Sequence, residues 1–254
     1  MTVRDIDHVV IAVHDLAAAK ASWEALGFTT TPRAVHPFGT ANSLIQLGGN
    51  FVELVEIADP GKIEDSSGTY FGFAAHNRDF LVSRSEGMSM LVLTSEDRDA
   101  DQAAWSRSGL RTYNPFNFER MAGQPDGSEK RVAFRLAFTG DASVDGLGFF
   151  VCQQETPESF WKPDYQRHDN GARRLRSVTL ATPEREATAR FLAKFSGGAI
   201  DENGIALLQD RIDLVEDPHP AFPELTIAVE GGPEAARMIP PEQASGITVR
   251  LIPV

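Results

Sequence analysis

Short apolar runs and helix-period stretches alternate along this chain, and glycines or polar clusters close each one. Asp7-His8-Val9-Val10-Ile11-Ala12-Val13 is rich in β-branched residues and reads as a strand. Asp15 then opens a periodic stretch, Leu16 to Leu26, that Gly27 stops, which is the start and stop grammar of a helix. The same order returns further on. Met90 to Ser95 reads as a strand, Asp97 opens a helix containing Trp105, and Gly109 closes it. The step from Asp to Trp is eight residues in both copies, and from Asp to Gly it is twelve. A weaker third copy runs from Ser177–Thr182 through Pro183 and Glu184 into Ala187–Phe195, ending at Gly197-Gly198.

Each helix pattern is followed by further strands. The first copy continues with Gly27–Pro32, Thr40–Leu47 and the alternating Phe51–Glu56. The second offers Arg111–Phe118, Arg131–Phe138 and Gly148–Gln153, and the third only Ile205–Leu208 and Arg211–Glu216. The unit is β-α-β-β-β. Residues 1–85 form a first module, 86–160 a second and 172–254 a third, degenerate βαββ module. A single unit leaves an apolar sheet face uncovered, so two should curl around a shared cleft, an α+β architecture.

At 254 residues the chain can bury a full core without disulfide or metal staples. Its formal charge of −12 and single short basic run, Arg173-Arg174-Leu175-Arg176, argue against nucleic acid. Cys152 is the only cysteine, so no intrachain disulfide and no CxxC metal site exist. No signal-peptide apolar region and no membrane-length apolar run occur, giving the expectation of a soluble cytoplasmic protein without a membrane role.

With His8 on its first strand and Glu53 on its last, the tandem unit resembles the vicinal oxygen chelate superfamily, the glyoxalase/bleomycin resistance/dioxygenase type of cupped sheet. Within it the chain looks most like the glyoxalase-like domain proteins. Three segments carry that likeness: Asp7-His8-Val9-Val10, His36-Pro37-Phe38-Gly39-Thr40-Ala41-Asn42, and Phe149 to Glu158 leading through Trp161 to His168-Asp169-Asn170-Gly171-Ala172.

The resemblance implies that His8 and Glu53 are ligands of a divalent metal (Mn, Fe, Co, Ni or Zn), with Glu53 also shuttling a proton. Imidazole and carboxylate suit such ions. Two protein ligands are too few, however, and module two offers Met90 where His8 stands and no carboxylate between Gly146 and Gln154. His168, Gln154 or His36 would have to complete the set. Thr40 and Asn42 are expected to aim polar groups into the cleft from alternate strand positions, beside His36. Gln154 can present an oxygen to a ligand, though it cannot do acid–base work. His168 and Asn170 lie in a long aromatic loop that reads either as a lid over the pocket or as a linker to module three. His14, His76 and His219 read as a helix-start residue, an inter-module loop residue and a residue between prolines, and Cys152 as a buried small hydrophobe.

Three functions fit these residues. One is a metal-dependent lyase, isomerase or dioxygenase acting on a small oxygen-bearing substrate. Another is a non-catalytic protein that binds and sequesters a small molecule. The third is a metal-independent enzyme that uses a pocket histidine as base. Module three lacks a full partner, and pairing of its sheet with a second copy in a homodimer is one way to cover its edge.

Overall fold

The computed structural model describes residues 2–123 and 128–254. The connection 124–127, inside the second module, lies outside the described residues. The chain is an α+β structure of two mixed sheets with a few helices. In chain order it runs β1 (Ile6–Ala12), α1 (Leu16–Ala25), β2 (Ala34–Val35), β3 (Thr40–Gln46), β4 (Phe51–Ile57) and α2 (Phe73–Arg84). Next come β5 (Gly87–Thr94), α3 (Arg98–Arg107), β6 (Arg111–Thr112), β7 (Phe116–Gly123), β8 (Glu129–Gly140), β9 (Gly148–Gln154) and α4 (Pro157–Phe160). The remainder is β10 (Ala172–Thr182), α5 (Arg185–Ser196), β11 (Ala199–Ile200), β12 (Gly204–Ala206), β13 (Arg211–Glu216), β14 (Ala221–Val229), β15 (Arg237–Ile239) and β16 (Thr248–Pro253).

Local chemistry explains the helix boundaries. The Asp15 carboxylate accepts from the Ala17 and Ala18 N–H groups, and Asp97 accepts from that of Ala100. Gly27, past the end of α1, has φ +86°. It meets Asn170 so closely that a Cβ there would sit 3.0 Å from the Asn170 nitrogen.

The first sheet has the order β2-β3-β4-β1-β5-β9-β8-β6, with β7 added on β8. Its two halves meet where β1 pairs antiparallel with β5. The second sheet repeats this pattern as β11-β12-β13-β10-β14-β16-β15, again with parallel outer pairs and one antiparallel central pair. The stretch expected to hold one degenerate module thus contains seven strands, and its second half, β14 to β16, repeats the first strand and the last two strands of a module without the helix.

Strand alternation splits the buried residues of the first sheet between two environments. Val9, Ile11, Val52, Leu54, Leu91, Leu93, Phe149 and Val151 pack with Trp23, Trp105, Phe195 and the second sheet's Val178, Leu180 and Leu225. Val10, Phe51, Met90, Val92, Phe150 and Cys152 face the other way, into a cup closed by Phe71, Phe73, Phe134 and Phe160. His8 and Glu53 share the parity of that cup face.

Three local expectations are corrected. The strand expected over Gly27–Pro32 is irregular, because side chains take its backbone groups: the Thr31 carbonyl accepts from Lys20 Nζ (2.7 Å) and Ser43 Oγ (2.6 Å). The strand expected over Arg111–Phe118 is broken into β6 and the longer β7. His76 lies in α2, where a loop was expected. That helix starts at Gly72 with no side-chain cap and buries Phe73, Ala74, Ala75, Asn77, Phe80 and Leu81, so its periodicity is faint in the sequence. No helix among the described residues is long and apolar enough to cross a membrane.

Asn50 fastens the two sheets together. Fully buried, it donates from Nδ2 to the Leu175 carbonyl (2.9 Å) and accepts from the Leu175 N–H (3.0 Å), imitating a strand neighbour for β10. Asp5 and Asp210 reinforce the seam. Asp5 accepts from the Gln209 and Asp210 N–H groups, while Asp210 accepts from Ile6 and from Arg174. Asn50→Ala would orphan a buried donor and a buried acceptor. We expect a loss of about 2–4 kcal/mol in denaturant unfolding, and a loss under about 0.5 kcal/mol would contradict this role.

Candidate functional site

The cup ends in a small inner chamber, about 40 Å³, walled by His8, Glu53, His36, Asn42, Arg120 and a set of aromatic rings. His8 reaches it from β1, and its ring stacks on Phe51 (centroids 4.3 Å apart) and meets the edge of Phe150 (5.6 Å). Asp7 would normally point to the opposite face. In the pairing of β1 with β5, however, Ile6 lies opposite Leu93 and His8 opposite Val92, so Asp7 is an extra residue in the strand. Such a bulge re-aims side chains. Here it brings Asp7 Oδ1 to 2.5 Å from His8 Nδ1, with both side chains buried. The other Asp7 oxygen accepts from Gln154 Nε2 at 3.1 Å.

Asp7 therefore fixes the His8 proton on Nδ1 and leaves the Nε2 lone pair facing the chamber. Across from it lies Glu53 Oε2, at 3.7 Å. That separation is too long for a hydrogen bond and leaves an interval between a base and a carboxyl group. Burial raises the pKa of Glu53, and His8, the Asn42 amide and Arg120 partly oppose the rise. Asn42 Nδ2 donates to Glu53 Oε1 (2.6 Å) and faces His36 Nε2 (3.2 Å), while its own Oδ1 is buried with no partner among the described residues. His36 in turn bonds Thr40 Oγ1 through Nδ1 at 2.8 Å. Burial and, secondarily, Arg120 push the His36 pKa down to about 3, so it stays neutral and holds the Asn42 amide in place.

The structure thus brings His8, Glu53, His36, Thr40 and Asn42 into one network, with Gln154 behind it on Asp7. It places His168 and Asn170 elsewhere. His168 Nδ1 accepts from the Thr29 N–H (2.9 Å) and its Nε2 donates to the Gln46 carbonyl (2.8 Å), so neither nitrogen is available to a ligand. Asn170 donates to the Leu26 carbonyl and accepts from the Ala172 N–H. Both residues tie the segment after α4 to the end of α1.

These donors do not fit the divalent metal that the resemblance implied. Among the described residues no three His, Cys, Asp or Glu side chains gather as a ligand set. His36, the nearest candidate for a third donor, turns its Nε2 to the Asn42 amide, His168 is engaged as above, and Gln154, whose Oε1 is free among the described residues, does not line the inner chamber. The second module supplies no donor either. Val10 of β1 lies beside Glu53, and the residue 82 positions on, Val92, lies beside Phe150, so Met90 and Phe150 stand where a matching His and Glu would. Arg120 adds a positive charge acting on both Glu53 and His36.

Sequence reasoning missed Asp7 and Arg120. Asp7 is invisible to a period-2 reading because the bulge breaks the period. Arg120 had a signal: in β7 the residues Phe116, Phe118 and Arg120 are half-buried while Asn117, Glu119 and Met121 are exposed, so an arginine occupies the third place of an inward row.

Comparison with known proteins places this geometry. No curated protein sequence matches the chain. Among solved structures, a hypothetical protein from Staphylococcus aureus superposes with a TM-score of 0.79 at 15% identity, over 99% of this chain and 100% of that one. A mutant of 4-hydroxymandelate synthase from Streptomyces coelicolor gives 0.60 at 11% identity, over 91% of this chain and 72% of the synthase. A methylmalonyl-CoA epimerase from Mycobacterium tuberculosis gives 0.44 at 18% identity, over 63% of this chain and 95% of the epimerase. The sequence pattern of the glyoxalase-like domain family matches residues 6–195. The chain therefore belongs to the glyoxalase-like domain family, within the vicinal oxygen chelate superfamily.

Proposed function

We propose that this chain is an enzyme of the lyase or isomerase type that moves a proton on a small oxygen-bearing substrate without a metal, using the Asp7–His8 pair as base. The observation that carries this reading is the 2.5 Å contact between Asp7 and His8 Nδ1 behind a free Nε2 that faces a buried carboxyl group. A base oriented by a carboxylate is the recurring arrangement of general-base catalysis, and dry aromatic walls strengthen each charge interaction within.

The reacting carbon would sit in the inner chamber, against both His8 Nε2 and Glu53 Oε2. His8 Nε2 takes a proton from a carbon next to a carbonyl. The C–H electron pair becomes the new carbon–carbon double bond, and the carbonyl pair moves onto oxygen. Glu53, kept protonated to higher pH by burial, supplies a proton to that oxygen. His8 then returns its proton to the neighbouring carbon while the hydroxyl on the first carbon gives its proton to Glu53 and becomes the new carbonyl, which completes an isomerisation and restores both groups. The unpartnered Asn42 Oδ1 is a ready acceptor for a substrate hydroxyl. With room for roughly three water-sized groups, the inner chamber limits the reacting end to a few atoms.

Dihydroxyacetone is a suitable first probe, since it has a hydroxyl beside a carbonyl and is small. In D2O, followed by proton NMR, wild-type protein should accelerate exchange of its carbon-bound protons over buffer. His8→Gln should lower that rate by about 10²–10⁴-fold, the range of a positioned general base. Asp7→Asn, which unsettles the tautomer, should lower it by about 10–100-fold. Exchange no faster than in buffer, or a fully active His8→Gln, would overturn the reading.

Glu53 makes a separate expectation. Its folded-state pKa lies above the ordinary 4.5, so the folded protein binds this proton more tightly than the unfolded chain does. The stability Glu53 contributes is then fully present below pH 4.5 and is lost as pH rises through its folded-state value. Glu53→Gln, which cannot ionise, should gain in Tm over wild type as melts are taken from pH 4 upwards. A difference that stays flat, or that shrinks, would contradict a buried proton on Glu53.

A further inference from the structure

We infer that Arg120 anchors a carboxylate on the substrate, so that the substrate class is a small hydroxy-carbonyl acid; this rests on the base reading above. The inner chamber opens into an outer one of about 330 Å³ lined by Thr31, Arg33, Gln46, Met121 and Tyr165, among others. Only Leu44, Phe160 and Arg120 line both. Arg120 is thus the one charged group at the passage between the two, one step out from His8 and Glu53.

Its surroundings leave the guanidinium underused. Nε is buried with no hydrogen-bond partner among the described residues. Desolvation is the main influence on it, and Glu53 is the only charge among the described residues that offsets this. The neighbouring arginines and carboxylates of the hairpin are already matched: Arg131 holds Glu119, and Arg135 holds Glu155. A partly buried guanidinium whose Nε is unpaired and whose one opposing charge is the buried Glu53 is costly unless something completes it, and a planar carboxylate is the ligand its geometry suits. If Glu53 carries a proton, as its burial favours, an incoming anion also meets no opposing negative charge there.

The two polar anchors then read the substrate from opposite ends. Arg120 would take the carboxylate at the passage, and Asn42 Oδ1 would accept from a hydroxyl inside. Between them a carbonyl and its neighbouring C–H would lie against Glu53 and His8. Hydroxypyruvate carries all three groups on three carbons, and dihydroxyacetone is the same hydroxy-ketone without the charge.

The test is binding and exchange of these two probes by wild type, Arg120→Gln and Arg120→Lys. Calorimetric titration should show hydroxypyruvate binding wild type at least tenfold more tightly than dihydroxyacetone. Arg120→Gln should abolish that preference while dihydroxyacetone still binds, and Arg120→Lys should keep part of the preference. Equal binding of the two probes by wild type, or an unaltered preference in Arg120→Gln, would overturn the assignment. Because binding is read without chemistry, that outcome is distinct from failure of the base. A protein that holds hydroxypyruvate through Arg120 yet exchanges no proton would refute the base and keep the anchor.

Discussion

The antiparallel pairing of β1 with β5 is the constraint on which the remaining architecture turns. It joins two β-α-β-β-β units into one sheet, and it sits at the centre of both the packed face and the cup. The pairing is imperfect. Of its two register shifts, the one between Ile6 and His8 leaves Asp7 out of register and sets a carboxylate behind His8. A flawless ladder would have sent neighbouring side chains to opposite faces of the sheet. The central pairing of the first sheet therefore contains the local fault from which the proposed base is built.

Charge in the cup is arranged by subtraction. The second module places methionine and phenylalanine where a matched half-site would put donors, and these apolar groups dry the space around the first. In such surroundings each remaining polar atom must be accounted for. Asn42 shares its two amide hydrogens between Glu53 and His36, and His36 passes a hydrogen to Thr40. What is left over is sparse: one lone pair on His8, one Asn42 oxygen, one guanidinium. These are the groups from which a ligand would be read.

Much of the fold was legible because repeats and strand parity survive in one dimension. The identical Asp–Trp–Gly spacings located α1 and α3, and the family resemblance paired His8 with Glu53. What escaped was non-local. His168 looked like a pocket residue from its aromatic setting, but its partners are Thr29 and Gln46, more than a hundred positions away. Helix α2 escaped because it is apolar on several sides and lacks a cap, and β14 to β16 because they repeat a module without its helix. A bulge shows no composition at all, so Asp7 had to wait for the register.

The Asn50 bridge has a consequence for how the molecule comes apart. A side chain that completes the hydrogen bonding of a strand in the other sheet makes each sheet part of the other's backbone network. The rings of Trp23, Trp105, Phe149 and Phe195 are shared in the same way, in one continuous interior. The second sheet has no private core to fall back on. The second sheet, whose outer surface is held by ion pairs such as Arg250–Glu224, takes no part in the cup, yet it covers the opposite face of the sheet that forms the cup. Function on one side of the molecule is thereby underwritten by the cooperativity of the whole.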